Sequence, residues 1–582
     1  MRQRLERRIE QAPLGVLARA FFDQFFASES VTSDLQLRQA MIGILAFVIL
    51  PGLFLLAQVF PAYQITAAVA AARHRPALIE TALAQICLIL VTYAMVAVGL
   101  IAVFTWDALT FSRRDALVLG PLPLRRSTIV TAKLAALTAL LVGASAAVSV
   151  ITAVPFTFTT VIQFSIRDLI THGLACLVAM LASGLFVFAS LVVIRGAVMF
   201  VGRDRLAAAF GSVLQGLFVV VLLCFMVQLE SGLRAMRSTG FAAGAEGLMP
   251  TAWFLGLFEW LLGATRPDYA VLAARALAAV AVTAAAAVAV SFASFRRHMQ
   301  LAVASSGLSR PGGAVRTTRV CARLLAGPDA TARAIADFTL LTLARERSQQ
   351  VPVAVNTAIG VAVVISALSS RVHGLADLAH PRTAVLWIPL VLAYWLAIGM
   401  RAAFHVPANL RAAWVFRADL SGGSRSVVAG VRASLLAGVG LPVLALTVAI
   451  SAPLYGWRLA AWHLGVVTLL IVLLVAVLTQ TFPHVPFTRP YEPGHAKLKT
   501  RWWIYLLGMF AFAYAPAKVE VMLAGDTLSL TQLVGVLAAA VLTVGYVAGR
   551  SSHRRAIEWS EEESEEVPEM AVLNLSGLGM RV

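Results

Sequence analysis

Long apolar blocks alternate with short polar stretches along most of the chain. Twelve blocks fall at about 40–60, 82–105, 128–153, 171–194, 207–229, 270–295, 351–370, 384–404, 428–452, 460–482, 502–523 and 530–548. At 1.5 Å per residue, each can cross a hydrocarbon layer of about 30 Å as one helix. The pattern predicts an all-α polytopic membrane protein of about twelve transmembrane helices in two six-helix halves. Two bounds are diffuse: the run from Ile129 stays apolar past Pro155, and few polar residues separate the last two blocks.

Three shorter stretches have an amphipathic or aromatic rhythm. Pro13 opens one with Leu14, Leu17, Ala18, Phe21 and Phe25 on one face, and Arg19 and Asp23 spaced to pair. It is expected to lie in the membrane interface ahead of the first span. After Gly327-Pro328, Asp329 or Thr331 can cap a helix through Arg345 bearing Ile335, Phe338 and Leu341. Pro250 opens a third, with Trp253, Phe254, Leu257, Phe258 and Trp260, expected as an aromatic interfacial helix with Glu259 on its polar side. The Gly- and Ser-rich run SSGLSRPGGAVRTTR, around 303–318, is expected to be a flexible linker. The organisation predicted is an interfacial N-terminal helix (1–39), a first membrane half (40–295), a cytoplasmic linker with the second interfacial helix (296–350), a second half (351–548) and an acidic tail (549–582).

Composition agrees with the class: 60% of the 582 residues are hydrophobic, 13% are charged, and mean hydropathy is +0.84. A soluble domain carries about a quarter charged residues. The net charge of +18 would suit a nucleic-acid partner, but its placement says otherwise. With the N-terminus inside, roughly three-quarters of the 47 Lys and Arg fall on alternate, cytoplasmic segments. The excess is a topology signal: both termini are expected in the cytoplasm of a bacterial-type cell membrane, with lipid and not nucleic acid as the surroundings. The first apolar run begins near Ala40, behind a charged amphipathic segment, so no signal peptide is expected. Cys87, Cys176, Cys224 and Cys321 have no metal-ligand spacing and are expected as free thiols.

Between the second and third blocks lies WDALTFSRRDALVLGPLPLRRSTIVTAK, from Trp106 to Lys133. Ser112 and Asp115 form a capping box for a short helix through Leu119, ended by Gly120-Pro121. Leu122-Pro123-Leu124 is then extended, and after Arg125 and Arg126 Ser127 can cap the next span. By spacing alone the favoured reading is an ordinary polar loop with turn residues. Asp115, Leu119, Leu122-Pro123, Arg125-Arg126 and Lys133, however, resemble the D-x3-L-x2-LP-x-[RS]R…K pattern in the first cytoplasmic loop of ABC-2-type exporter permeases. The resemblance implies a coupling segment, Ser112, Arg113, Arg114, Asp115, Leu119, Leu122, Pro123, Arg125, Arg126 and Lys133, that contacts separate ATPase subunits carrying ATP and Mg. It also implies that the helix opened by Pro250 dips into the outer leaflet. A weaker echo, Arg126-Ser127 to Lys133 against Arg425-Ser426 to Arg432, marks a possible second coupling segment with Asn409, Arg411, Trp414 and Arg417. That copy lacks the Leu-Pro pair.

Several chemistries are excluded by sequence. The only lysines are Lys133, Lys497, Lys499 and Lys518, and none follows a glycine, so a Walker A loop is absent. His484 and His495 stand too far apart to suggest a metal site. The acids fall at block ends, in loops or in tails, which argues against an ion-coupled pump. Gln85, Gln215, His463 and Gln480 are expected as interhelical hydrogen-bonding groups. The expectation is a permease subunit of an ABC exporter, with no enzymatic motif and no cofactor of its own. The alternatives are an ion-coupled secondary transporter and a non-transporting anchor or sensor.

Overall fold

A computed structural model describes residues 13–24, 63–70, 72–74, 77–106, 113–160, 165–201, 204–227, 245–264, 266–304, 313–371, 380–406, 423–480, 484–488, 504–505 and 507–552, with 52, 60, 61, 109, 111 and 408 singly. Among these residues every regular element is helical. The helices are α1 (Pro13–Gln24), α2 (Ala77–Phe104), α3 (Arg113–Leu119), α4 (Arg126–Thr160), α5 (Ile166–Val201), α6 (Asp204–Val227), α7 (Pro250–Leu261) and α8 (Pro267–Ala304). They continue with α9 (Gly313–Leu325), α10 (Ala330–Arg345), α11 (Arg347–Arg371) and α12 (Thr383–Ala403).

The next apolar stretch, Ser424–Thr479, is 56 residues long. As one straight helix it would extend about 84 Å, nearly three hydrocarbon thicknesses. Gly456 breaks it, with φ 78° and ψ 165°, a conformation open to glycine and strained for other residues. The result is α13 (423–455) and α14 (457–479). Arg432 Nε donates to Thr479 Oγ1 at 2.9 Å, and these residues lie at nearly equal distances on either side of Gly456. The two helices therefore fold back on each other as a hairpin. The last described elements are a π turn (Phe510–Tyr514), α15 (Ala515–Leu523) and α16 (Thr527–Ser552).

Eight of the described helices are long and apolar enough to cross a membrane, the α13–α14 hairpin being counted once. The protein is thus all-α with multiple membrane-length helices. The predicted block at 40–60 lies outside the described residues apart from Gly52 and Phe60. That at 207–229 falls in α6, of which only the side chains of 213–225 are described. The block at 502–523 is interrupted by the π turn. Pro516 has no N–H to donate to the Phe512 carbonyl and crowds it, and the backbone widens so that Ala515 N–H bonds to the Phe510 carbonyl instead.

Two compact units divide the chain: residues 1–310 with 354–377 and 497–505, and residues 311–353 with 378–496 and 506–582. In the first, α2 is sheathed by α4, α5, α6 and α7. Its centre is built from Leu90, Met95, Phe156, Met180, Phe254 and Phe258, each less than 2% exposed. The helix opened by Pro250 is therefore a core element and not a surface one. Phe254, Leu255, Leu257 and Phe258 are all buried, and so is Glu259; Trp260 alone of its aromatics is half exposed. Apolar residues on consecutive positions leave α7 no polar face to float on.

In the second unit α13 and α14 pack with α10, α12 and α16. Asp329 caps α10 by accepting from the Thr331 and Ala332 N–H groups at 2.9 and 3.3 Å. A hydrogen bond with Ser426, together with these N–H groups, holds its carboxyl below the usual range. The stretch expected as a linker is helical from Gly313 onward. Arg319 and Arg323, one turn apart on α9, both bond to Asp337 on α10, through Nε at 3.1 and 2.6 Å. Burial alone would raise the Asp337 carboxyl, but the two guanidinium groups outweigh it and hold it low. Gly430 on α13 sits where a Cβ would come 2.6 Å from the Ala332 carbonyl oxygen and 2.8 Å from Ile335 Cβ. Its missing side chain is what lets α10 and α13 touch.

Gly430→Val is accordingly expected to cost about 1–3 kcal/mol by overpacking and to lower the thermal midpoint of the detergent-solubilised chain. Gly465→Ala, where nothing lies within 4 Å of the added methyl, is expected to leave the midpoint in place. Differential scanning fluorimetry of the two variants beside the parent decides it.

Candidate functional site

The segment 111–133 is a short helix on a bent tether. The seven residues of α3 carry Asp115 in the first turn, where the helix dipole favours an acid. Ser112 and the side chains of Arg113 and Arg114 lie outside the described residues. Beyond Leu119 the chain turns: Leu122 N–H donates to the Leu119 carbonyl at 3.3 Å, and Leu124 N–H to the Leu122 carbonyl at 2.7 Å. Pro123, between the last two, fixes that bend. The following span starts earlier than the Ser127 cap predicts. The Arg125 carbonyl accepts from Thr128 and Ile129 N–H, so α4 begins at Arg126 and Ser127 lies inside its first turn.

One side of this segment is built into the first unit. Phe111 and Leu119 are buried with Phe21 of α1, Ile129, Val130, Ala132 and Ala136 of α4, and Phe295 of α8. Phe111 meets Phe21 edge-on at 5.9 Å and Phe295 at 5.1 Å. Two cations sit among these rings. Lys133, 3% exposed, holds its Nζ 4.7 Å from the Phe21 centroid and 5.9 Å from that of Phe111, with Asp115 supplying an opposing charge. Arg126 lies 5.4 Å from the Phe295 centroid and donates to the Phe292 carbonyl. Three rings and two cations thus tie α1, α3, α4 and α8 into one joint.

The other side is bare. Leu117 is 56% exposed, Val118 57% and Leu122 46%, and Gly120, Pro121, Pro123 and Arg125 are exposed beside them. Of the residues predicted as a coupling set, Leu119 and Lys133 are buried anchors and Arg126, though exposed, is tied to Phe292 and Phe295, whereas Leu122, Pro123 and Arg125 reach the surface. Phe111, Phe295, Leu117 and Val118 were not singled out by the sequence pattern, and Leu117-Val118 could have been, as two large apolar residues on α3 ahead of Leu119.

Trp106, which opens the segment, is fully buried against Phe218 at 5.5 Å, with the Arg195 guanidinium 5.1 Å from its ring. Arg195 is 2% exposed; its position at the end of a long apolar run was the available signal.

The second candidate segment, Asn409, Arg411, Trp414 and Arg417, lies outside the described residues. Its flank is ordered by backbone bonds: Phe487 N–H to the Phe404 carbonyl at 3.0 Å and Ala408 N–H to the Phe487 carbonyl at 3.1 Å. His484 is buried, with its ring 5.5 Å from that of His405. Among the described residues no three His, Cys, Asp or Glu side chains converge as a metal site.

Removing the Phe21 ring deletes a cation–π contact and an aromatic edge at once. Phe21→Ala is expected to loosen α1, speeding amide exchange across 13–24 on the order of 100-fold, as for a buried Phe truncation of about 3 kcal/mol. Lys133→Met keeps the apolar stem and loses the cation, so the increase should stay near tenfold. Hydrogen–deuterium exchange with mass spectrometry on the full chain measures both. Comparison with known protein families, with characterised proteins and with solved structures finds no match.

Proposed function

We propose that the chain is the membrane permease of an ABC-2-type exporter. On this reading about twelve spans form two six-helix halves in a cell membrane, with both termini in the cytoplasm. Separate ATPase subunits carry ATP and Mg and dock on the loop 112–126. The supporting observation is the two-sidedness of the segment 111–133. A lever between a motor and a membrane bundle needs one face fixed to the bundle and one face free, and Phe111, Leu119 and Lys133 stand against Leu117, Val118, Leu122 and Arg125 in that way. Nucleotide binding on the partner would push α3, and the joint of Phe21, Phe111 and Phe295 would pass the push to α4 and α8. One observation favours the ion-coupled transporter instead: a buried His463–Glu520 pair among the membrane-length helices. A non-transporting anchor has no comparable support.

The test is co-expression of the chain with candidate ATPase subunits, followed by purification in mild detergent and assay of ATP hydrolysis. Leu117→Asp with Val118→Asp places charge on the free face and should abolish co-purification. Leu122→Gly with Pro123→Gly should keep binding and hydrolysis while uncoupling export, because the bend loses its fixed φ. Wild-type behaviour of both double variants would sink the exporter reading.

A further inference from the structure

The aromatic joint of the first unit is not packed solid. Lys133 of α4, with Ser291 and Ser294 of α8, lines a cavity of about 20 Å³. Its remaining walls are aliphatic and aromatic side chains and Gly196 of α5. A Cβ on Gly196 would come 2.3 Å from Val290 Cγ1 and 3.9 Å from Ser294 Oγ, so the glycine is what brings α5 this close to α8. A cavity needs about 10–15 Å³ to hold one water molecule. This one has room for a water and is too small for a phosphate or an organic ligand. Lys133 is 3% exposed and Ser294 1%, so the polar groups that face the space are themselves buried.

We infer that the cavity is a water site, in which one bound water joins the Lys133 ammonium to the hydroxyl oxygens of Ser291 and Ser294. Donors and acceptors balance on this assignment. An ammonium carries three N–H donors and no acceptor, and an apolar interior makes each donor costly to leave unbonded. The faces of Phe21 and Phe111 and the charge of Asp115 offset the positive charge, but a ring face is a weaker acceptor than an oxygen lone pair. The two serines have already spent their protons within α8. Ser291 Oγ donates to the Ala287 carbonyl at 2.7 Å and Ser294 Oγ to the Val290 carbonyl at 2.6 Å. Each hydroxyl therefore meets the cavity as an acceptor, and their spacing of three residues puts them on one face of the helix. A water between these walls accepts one N–H and donates both of its own protons. That makes three hydrogen bonds, the usual number for a buried water.

The water supplies a second polar link between α4 and α8. The first is direct, from the Arg126 guanidinium to the Phe292 carbonyl. Arg126 and Lys133 are two turns apart on α4, and Phe292 lies between Ser291 and Ser294 on α8, so both links fasten the same stretch of the two helices. A dry void is the competing description. Cavities that stay dry are lined by apolar groups alone, whereas this one has a buried cation on one wall and two hydroxyl oxygens on another. The inference does not depend on an ATPase partner, because it concerns only how the joint is held together.

The sign of one substitution tests it on the full-length chain in lipid nanodiscs. Ser294→Val removes an acceptor and fills the space. If a water is bound, it is expelled, Lys133 loses an oxygen partner, and the thermal midpoint should fall by about 2–4 °C. If the cavity is dry, the added methyl improves packing and the midpoint should hold or rise. In a Lys133→Met background the ammonium is gone, and Ser294→Val should then cost nothing. A fall in the parent that disappears in Lys133→Met supports the water site. A rise in the parent, no change, or an equal fall in both backgrounds overturns it. Should Lys133→Met not fold, the scarcity of lysine gives a second route. Replacing Lys497, Lys499 and Lys518 by arginine leaves Lys133 as the sole lysine, so nitrogen-15 lysine labelling reports its ammonium alone. A cross-peak between that ammonium and a long-lived water supports the site, and an ammonium with no water neighbour overturns it.

Discussion

A peptide group in hydrocarbon has no water to bond to, so every N–H and C=O in a lipid-embedded stretch must find its partner within the protein. The long helices of this chain follow from that constraint. So does the handling of hydroxyls within them: Thr92, Thr152, Ser190 and Ser451 each donate to the carbonyl four residues back. The two described interruptions obey it as well. At Pro516 the freed backbone closes a wider ring, beside buried Ala513 and Ala517. At Gly456 a single residue leaves helical geometry, the smallest break that can reverse the chain.

Within that frame the two units are fastened by different forces. In the first, α1, α3, α4 and α8 meet through aromatic edges, with Lys133 and Arg126 held against rings, so most of the contact is apolar and little weakened by salt. In the second, α9 and α10 meet through Asp337 and two arginines at a partly exposed site, where the attraction is modest and screened. The aromatic joint holds four elements by close apolar packing, and the ionic clasp holds two amphipathic helices joined by a few residues.

The features legible from sequence were those with local causes. Apolar blocks marked most of the long helices. Pro13 and Pro250 marked helix starts, and the cap by Asp329 followed from its place ahead of an apolar rhythm. What escaped depended on partners remote in the chain. Glu520 lies near the end of its block and looks peripheral, until the π turn and His463, 57 residues away, place it inside. The glycines around 312 suggested a linker, and only Asp337 on the next helix gives Arg319 and Arg323 a reason to share a helical face. For the candidate coupling segment, spacing predicted the short helix and its end at Leu119. It could not tell which side faces outward, because burial of Phe111 requires Phe21 and Phe295 from opposite ends of the first unit.

The single-residue reversal at Gly456 also bears on how this part of the protein enters the bilayer. The bond between Arg432 and Thr479 spans the open end of the hairpin, and no polar loop separates its two arms. The first arm cannot settle across the membrane with its successor waiting in water, because one residue cannot bridge the headgroup region. A break of one residue therefore keeps the two open ends of the hairpin together, with Arg432 opposite its hydroxyl partner. Between them the arms leave no connecting loop in which an insertion could be accepted during evolution.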